Sequence, residues 1–136
     1  MSLVSRTPPR GRLLLALLAC GVLAACGSDS LNPFQPEISN PADNFQLQAT
    51  NVTNVTTTKT YRWANSGTRA TINHSTTTTT GSTFLVIKDA AGATVYSRAL
   101  SPSLNEPTTA GQPGNWSIQL TLTNYSGNLN VRAQKL

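Results

Sequence analysis

The sequence predicts an all-β fold, an antiparallel β-sandwich with about seven strands. Three observations lead there. From Phe45 onward apolar and polar residues alternate with period two. Thr, Val, Tyr, Trp and Ile fill the alternating runs, with Gly, Asn, Asp and Ser between them. No stretch after residue 30 carries a helical repeat of useful length.

The strands follow in order. Phe45, Leu47 and Ala49 alternate with Gln46, Gln48 and Thr50, and Tyr61 and Trp63 alternate with Thr60 and Arg62. Both segments read as half-buried strands. Ala70 and Ile72 mark a shorter one. Phe84-Leu85-Val86-Ile87 is apolar on both faces, as suits a central strand. Asp89-Ala90-Ala91-Gly92 then turns the chain into Thr94-Val95-Tyr96-Ser97-Arg98-Ala99-Leu100, a hairpin in which Gly92 takes a positive φ. The clearest alternation sets Trp116, Ile118, Leu120 and Leu122 against Ser117, Gln119, Thr121 and Thr123. Asn124-Tyr125-Ser126-Gly127-Asn128 reads as a turn that exposes Tyr125. Leu129, Val131 and Ala133 form the closing strand.

The residues ahead of this domain carry a different message. Arg6, Arg10 and Arg12 precede an apolar run from Leu13 to Ala25, too short to cross a bilayer, which takes roughly 20 residues. A basic segment, a short apolar segment and small residues at its end are the parts of an export signal. Arg10-Gly11-Arg12 contains no Arg pair, which favours the general secretory route over the twin-arginine route.

Leu23-Ala24-Ala25-Cys26, at the end of that signal, resembles the bacterial lipobox. The resemblance implies that the Cys26 thiol takes a diacylglycerol and that a dedicated peptidase cuts before it, leaving Cys26 as the first mature residue. A thiol suits this chemistry because its sulfur is the nucleophile that forms the thioether. Residues 1–25 are then the signal peptide and residues 26–44 a flexible tether with Pro33, Pro36 and Pro41, leaving residues 45–136 as the β-domain. In enterobacterial lipoproteins an Asp directly after the Cys marks retention in the inner membrane. Gly27 stands there, so the resemblance implies the outer membrane.

Charge and cysteine usage narrow the function classes. The full chain has a net charge of +5, which could suggest a nucleic-acid partner. Without residues 1–25, Lys59, Arg62, Arg69, Lys88, Arg98, Arg132 and Lys135 face Asp29, Glu37, Asp43, Asp89 and Glu106, a net +2 scattered along the chain. That pattern argues against nucleic acid. Cys20 lies in the discarded segment, so Cys26 has no intramolecular disulfide partner, and the fold rests on its core.

Asp89-Ala90-Ala91-Gly92, Val95-Tyr96-Ser97, Gly114-Asn115-Trp116-Ser117-Ile118 and Ser126-Gly127-Asn128-Leu129-Asn130-Val131-Arg132 resemble small bacterial jelly-roll modules of the prepeptidase C-terminal type. The resemblance spans residues 60–136 at most. It implies a module that serves in binding or stability and has no catalytic residues to carry over.

Other residues have two readings each. Thr76 to Thr80 could be an adhesive or glycosylated patch, or a Thr-rich exposed strand or loop. Five Asn-x-Ser/Thr matches begin at Asn51, Asn54, Asn73, Asn115 and Asn124, in a composition where chance supplies several. His74 is the sole histidine, and no nucleophile and orienting group stand with it as a catalytic set. The acids show no paired-carboxylate or metal-ligand spacing, and Asp89 fits a turn. Lys88, solvated at a strand end, makes a poor general base. Trp63, Trp116, Tyr61, Tyr96 and Tyr125 could stack on sugar, but Trp63 and Trp116 fall in core-facing positions. The expectation is a non-catalytic envelope lipoprotein without cofactor or metal. It would be held by the membrane through Cys26 and bind or scaffold another envelope protein. A carbohydrate-binding or surface-adhesion module is the alternative.

Overall fold

The computed structural model describes residues 34–136. The signal motif and Cys26 lie outside them. Among the described residues the chain forms six strands and no helix: β1 (Glu37–Ser39), β2 (Asn44–Asn65), β3 (Ala70–Lys88), β4 (Thr94–Ala99), β5 (Leu104–Pro107) and β6 (Gly114–Lys135). All pairings are antiparallel, in the order β1-β2-β6-β3-β4, with β5 pairing β3.

The expected strands exist, but six of them are halves of longer ones. Phe45–Thr50 and Thr60–Trp63 both belong to β2, Ala70–Ile72 and Phe84–Ile87 to β3, and Trp116–Thr123 and Leu129–Ala133 to β6. At about 3.3 Å per residue, a straight β2 would be about 70 Å long. Yet the Asp43 amide just before it donates to the Ala64 carbonyl near its far end at 2.8 Å. The strand therefore folds back on itself, and β3 and β6 fold with it.

The crease crosses all three long strands. Register shifts fall between Ala49 and Thr57 on β2 and between Thr78 and Ser82 on β3, each facing the Asn124 to Gly127 region of β6. Asn51, Asn54 and Asn124 adopt left-handed φ of 54°, 47° and 46°, a conformation that Asn tolerates better than most residues. Bulges leave backbone amides without ladder partners, and side chains take them up. Asn51 N donates to Asn128 Oδ1 at 2.8 Å, Asn54 N to Ser126 Oγ at 2.9 Å and Asn124 N to Thr56 Oγ1 at 2.9 Å.

The crease divides the sheet into two leaves. The first holds β1, β5 and the halves of β2, β3 and β6 that pair around Leu47, His74 and Val131. The second holds β4 and the halves around Tyr61, Ile87 and Ile118. Their inward residues form one hydrophobic core that includes Phe45, Leu47, Ile72, Trp63, Leu85 and Trp116. The Phe45 and Tyr61 rings, from opposite leaves, meet with centroids 5.8 Å apart. Within the second leaf Trp63 and Trp116 pack edge to face at 5.8 Å and 85°.

Three expectations change. Tyr125 does not sit in an exposed turn: it is fully buried within β6, because the chain there is a bulged strand paired on both sides. Phe84 is 44% exposed, since β4 and β6 flank β3 laterally while the opposing leaf covers only one face. The folded part also starts before residue 45. Phe34 is buried in the core, and β1 forms within the stretch expected to be tether.

Candidate binding face

The outward side of the second leaf is a sheet surface that no other element covers among the described residues. Its rows are set by the register. Arg62, Ser117 and Lys88 stand side by side across β2, β6 and β3. The next row is Thr60, Gln119, Val86 and Ser97, and the one nearer the crease is Thr58, Thr121, Phe84 and Ala99. Thr58 and Thr121 share a hydroxyl hydrogen bond at 3.3 Å. A depression of about 230 Å³ lies between Thr60, Val86, Lys88, Ser117 and Gln119. Phe84, in the row beside it, is the only aromatic residue exposed to this degree among the described residues.

Sequence reasoning missed Phe84, because the register that pairs β3 with β6 is supplied only by the tertiary structure. Once Ser117, Gln119 and Thr121 are assigned to the solvent side of β6, their cross-strand neighbours on β3 must share that side. The four-residue apolar run hid this.

A second concavity, of about 250 Å³, lies where β4 and β5 approach each other along the side of the sandwich, lined in part by Tyr96, Arg98 and Glu106. Its charges are already matched: Arg98 Nε donates to Glu106 Oε1 at 2.9 Å, and the guanidinium carbon stands 6.0 Å from the Tyr96 ring centroid. Burial first, and then the neighbouring Glu106 carboxylate, push the Tyr96 phenol well above its ordinary value.

The other singled-out residues serve the fold. His74 is 1% exposed on the inner side of β3, and neither ring nitrogen has a hydrogen-bond partner among the described residues. Burial lowers its pKa, so the ring is neutral at physiological pH. Asp89 accepts from the amides of Ala91 at 3.0 Å, Ala93 at 2.8 Å and Gln112 at 2.8 Å. These bonds, that from Gln112 foremost, hold its carboxyl below the ordinary range. The expected hairpin turn is there, with Gly92 at φ 86°. Asp43 is held low by the Ser66 amide and hydroxyl, and it also pairs with Lys135 at 3.2 Å. Trp63 and Trp116 are both core residues, as their alternation predicts. Thr76 to Thr80 run along β3 into the crease, mostly exposed. Lys88 ends β3 on the outer face. No group of three or more His, Cys, Asp or Glu that could hold a metal ion is found among the described residues, and no helix there is long and apolar enough to cross a membrane. The sequence matches no family model and no curated protein.

Proposed function

We propose that this chain is a lipid-anchored protein of the bacterial cell envelope, attached at the outer membrane through Cys26, whose sandwich is a non-catalytic binding or scaffolding module. The observation that supports the module reading is the placement of polar side chains. Asp43, Asp89 and Glu106 are engaged in holding loops and edges, while Thr, Ser and Gln are laid out on a solvent-facing sheet surface. Support for the anchor comes from Leu23-Ala24-Ala25-Cys26 behind a basic and apolar leader. Each buried CH₂ of an acyl chain contributes roughly 0.8 kcal/mol, so two or three chains hold a small domain firmly.

The test is Cys26→Ser in a bacterial host, read by palmitate labelling and detergent partition. Loss of label together with release of a soluble or unprocessed form is expected. Retention of both would overturn the anchor. The second reading, a carbohydrate-binding or surface-adhesion module, is favoured by Phe84, an exposed aromatic ring among hydroxyl and amide side chains.

A further inference from the structure

We infer that the outer face of the second leaf binds a carboxylate-bearing polysaccharide, with Phe84 as the stacking surface, Gln119, Thr60 and Thr121 as hydrogen-bonding groups, and Lys88 and Arg62 as the anion contacts. This rests on the binding-module reading above and names the ligand class. Three features of the face converge on an acidic glycan.

The first is the aromatic ring. Phe84 is 44% exposed on the outer face of the sheet, beside the small side chains of Ala99 and Thr121. Its cross-strand neighbours leave the ring open to a ligand lying over the sheet. The C–H face of a pyranose ring is apolar and packs on such a surface, while its hydroxyls reach outward to polar groups.

The second is the polar row beside it. Gln119 offers an amide donor and acceptor, and Thr60 and Thr121 offer hydroxyls that both donate and accept. Neighbouring strands are about 4.8 Å apart, so Thr121 and Gln119 lie next to a sugar ring placed over Phe84, and Thr60, one strand further, meets the next residue of a chain.

The third is charge. Arg62 and Lys88 flank Ser117 across three strands, so their Cα atoms stand about 10 Å apart. Neither forms a salt bridge among the described residues. Among the described residues, the side-chain carboxylates that could neutralise them are placed elsewhere. Asp43 is bound to Ser66 and Lys135, Asp89 is turned into its loop, and Glu106 is paired with Arg98. Glu37 is on β1, in the other leaf. A neutral glycan would leave both cations without a partner, and an acidic one matches them.

The test uses the full-length protein in detergent, run through native gels containing polygalacturonate, neutral dextran or poly-L-glutamate. Retardation by polygalacturonate and not by dextran is expected, weakening as salt rises. Phe84→Ala and Lys88→Gln should each weaken binding roughly tenfold. Arg132→Gln, on the first leaf, should leave it unchanged. All three side chains are on the surface, and the near-ultraviolet signal of the Trp63–Trp116 pair reports whether each variant is folded. Equal retardation by poly-L-glutamate, indifference to Phe84→Ala, or no retardation by polygalacturonate would each overturn the inference. Photo-crosslinking of the anchored protein to envelope components separates the two readings. Crosslinking without polygalacturonate binding removes the glycan and leaves the module, and failure of both removes both.

Discussion

The Tyr125 hydroxyl donates to the Asn128 carbonyl at 2.9 Å, passing over Gly127, where a Cβ would come within 2.8 Å of the Tyr125 hydroxyl oxygen. The hydroxyl also lies 3.3 Å from the Thr77 carbonyl on the next strand. One buried phenol thus joins β6 to β3 at the crease, and it fits only beside a residue without a side chain.

Gly127→Ala should therefore be among the most damaging small substitutions. The added methyl would meet the Thr77 carbonyl oxygen as well as the Tyr125 hydroxyl, at a φ of 146° that L side chains rarely adopt. A loss of roughly 2–5 kcal/mol is expected from strain and overpacking together. Tyr125→Phe should cost about 1–2 kcal/mol through the lost hydrogen bond. It should not rescue Gly127→Ala, because the Thr77 clash remains. Urea unfolding of the two single variants and the double variant checks this.

Trp116→Ala should destabilise the domain by roughly 3–5 kcal/mol, the range for emptying a large aromatic site in a packed core. Trp116 is fully buried, packs edge to face on Trp63 and donates from Nε1 to the Gln112 carbonyl at 2.7 Å. The near-ultraviolet circular dichroism of the Trp pair should collapse with it. A change below about 1 kcal/mol would contradict the burial.

His74 predicts a mild acid sensitivity. Its pKa in the fold lies below the ordinary 6.5, so the unfolded chain binds the proton more readily. Stability is complete above pH 6.5 and declines as the pH falls from there toward the folded-state value. His74→Leu should remove this decline and hold or raise stability at neutral pH, because two unpartnered ring nitrogens leave the core. Chemical denaturation of both proteins at pH 5 and pH 7.5 gives the comparison.

Asp89 and Asp43 predict a second, more acidic limb. Both carboxyls titrate below their ordinary 3.8 in the fold, so their contribution is present above that pH and is lost as pH falls through the folded-state values. Asp89→Asn should flatten this limb and lower stability at pH 7. Its amide nitrogen would face either the Gln112 amide or the Ala91 and Ala93 amides, donor against donor. Thermal melts between pH 3 and pH 7 separate this limb from that of His74.

Local alternation made much of the core legible. Trp116, Ile118, Leu120 and Leu122 are buried on one side of β6, as their spacing predicts. The same reasoning failed at Asn124 to Asn128, because Asn, Ser and Gly are turn formers in isolation and nothing nearby in sequence says that another strand will pair with them. The Asn-x-Ser/Thr matches at Asn51, Asn54 and Asn124 have a structural explanation in the fold. Each starts with a left-handed Asn and continues with an inward Val52, Val55 or Tyr125. The following Thr56 and Ser126 hydroxyls accept amides that the bulges leave free.

By itself, then, the sequence determined the antiparallel all-β class, the Asp89–Gly92 hairpin, the burial of Trp63 and Trp116 and the expectation of a lipid anchor at Cys26. These follow from residues close together in the chain, where a period of two or a turn motif acts within a few positions. Only the tertiary structure decided that three pairs of predicted strands are single strands folded at a common crease, and that Phe84 faces solvent while Tyr125 is enclosed. Those outcomes depend on which backbone amides find partners, and on which face the opposing leaf covers. The partners are set by side chains some 70 positions away, as Asn128 is from Asn51 and Ser126 from Asn54.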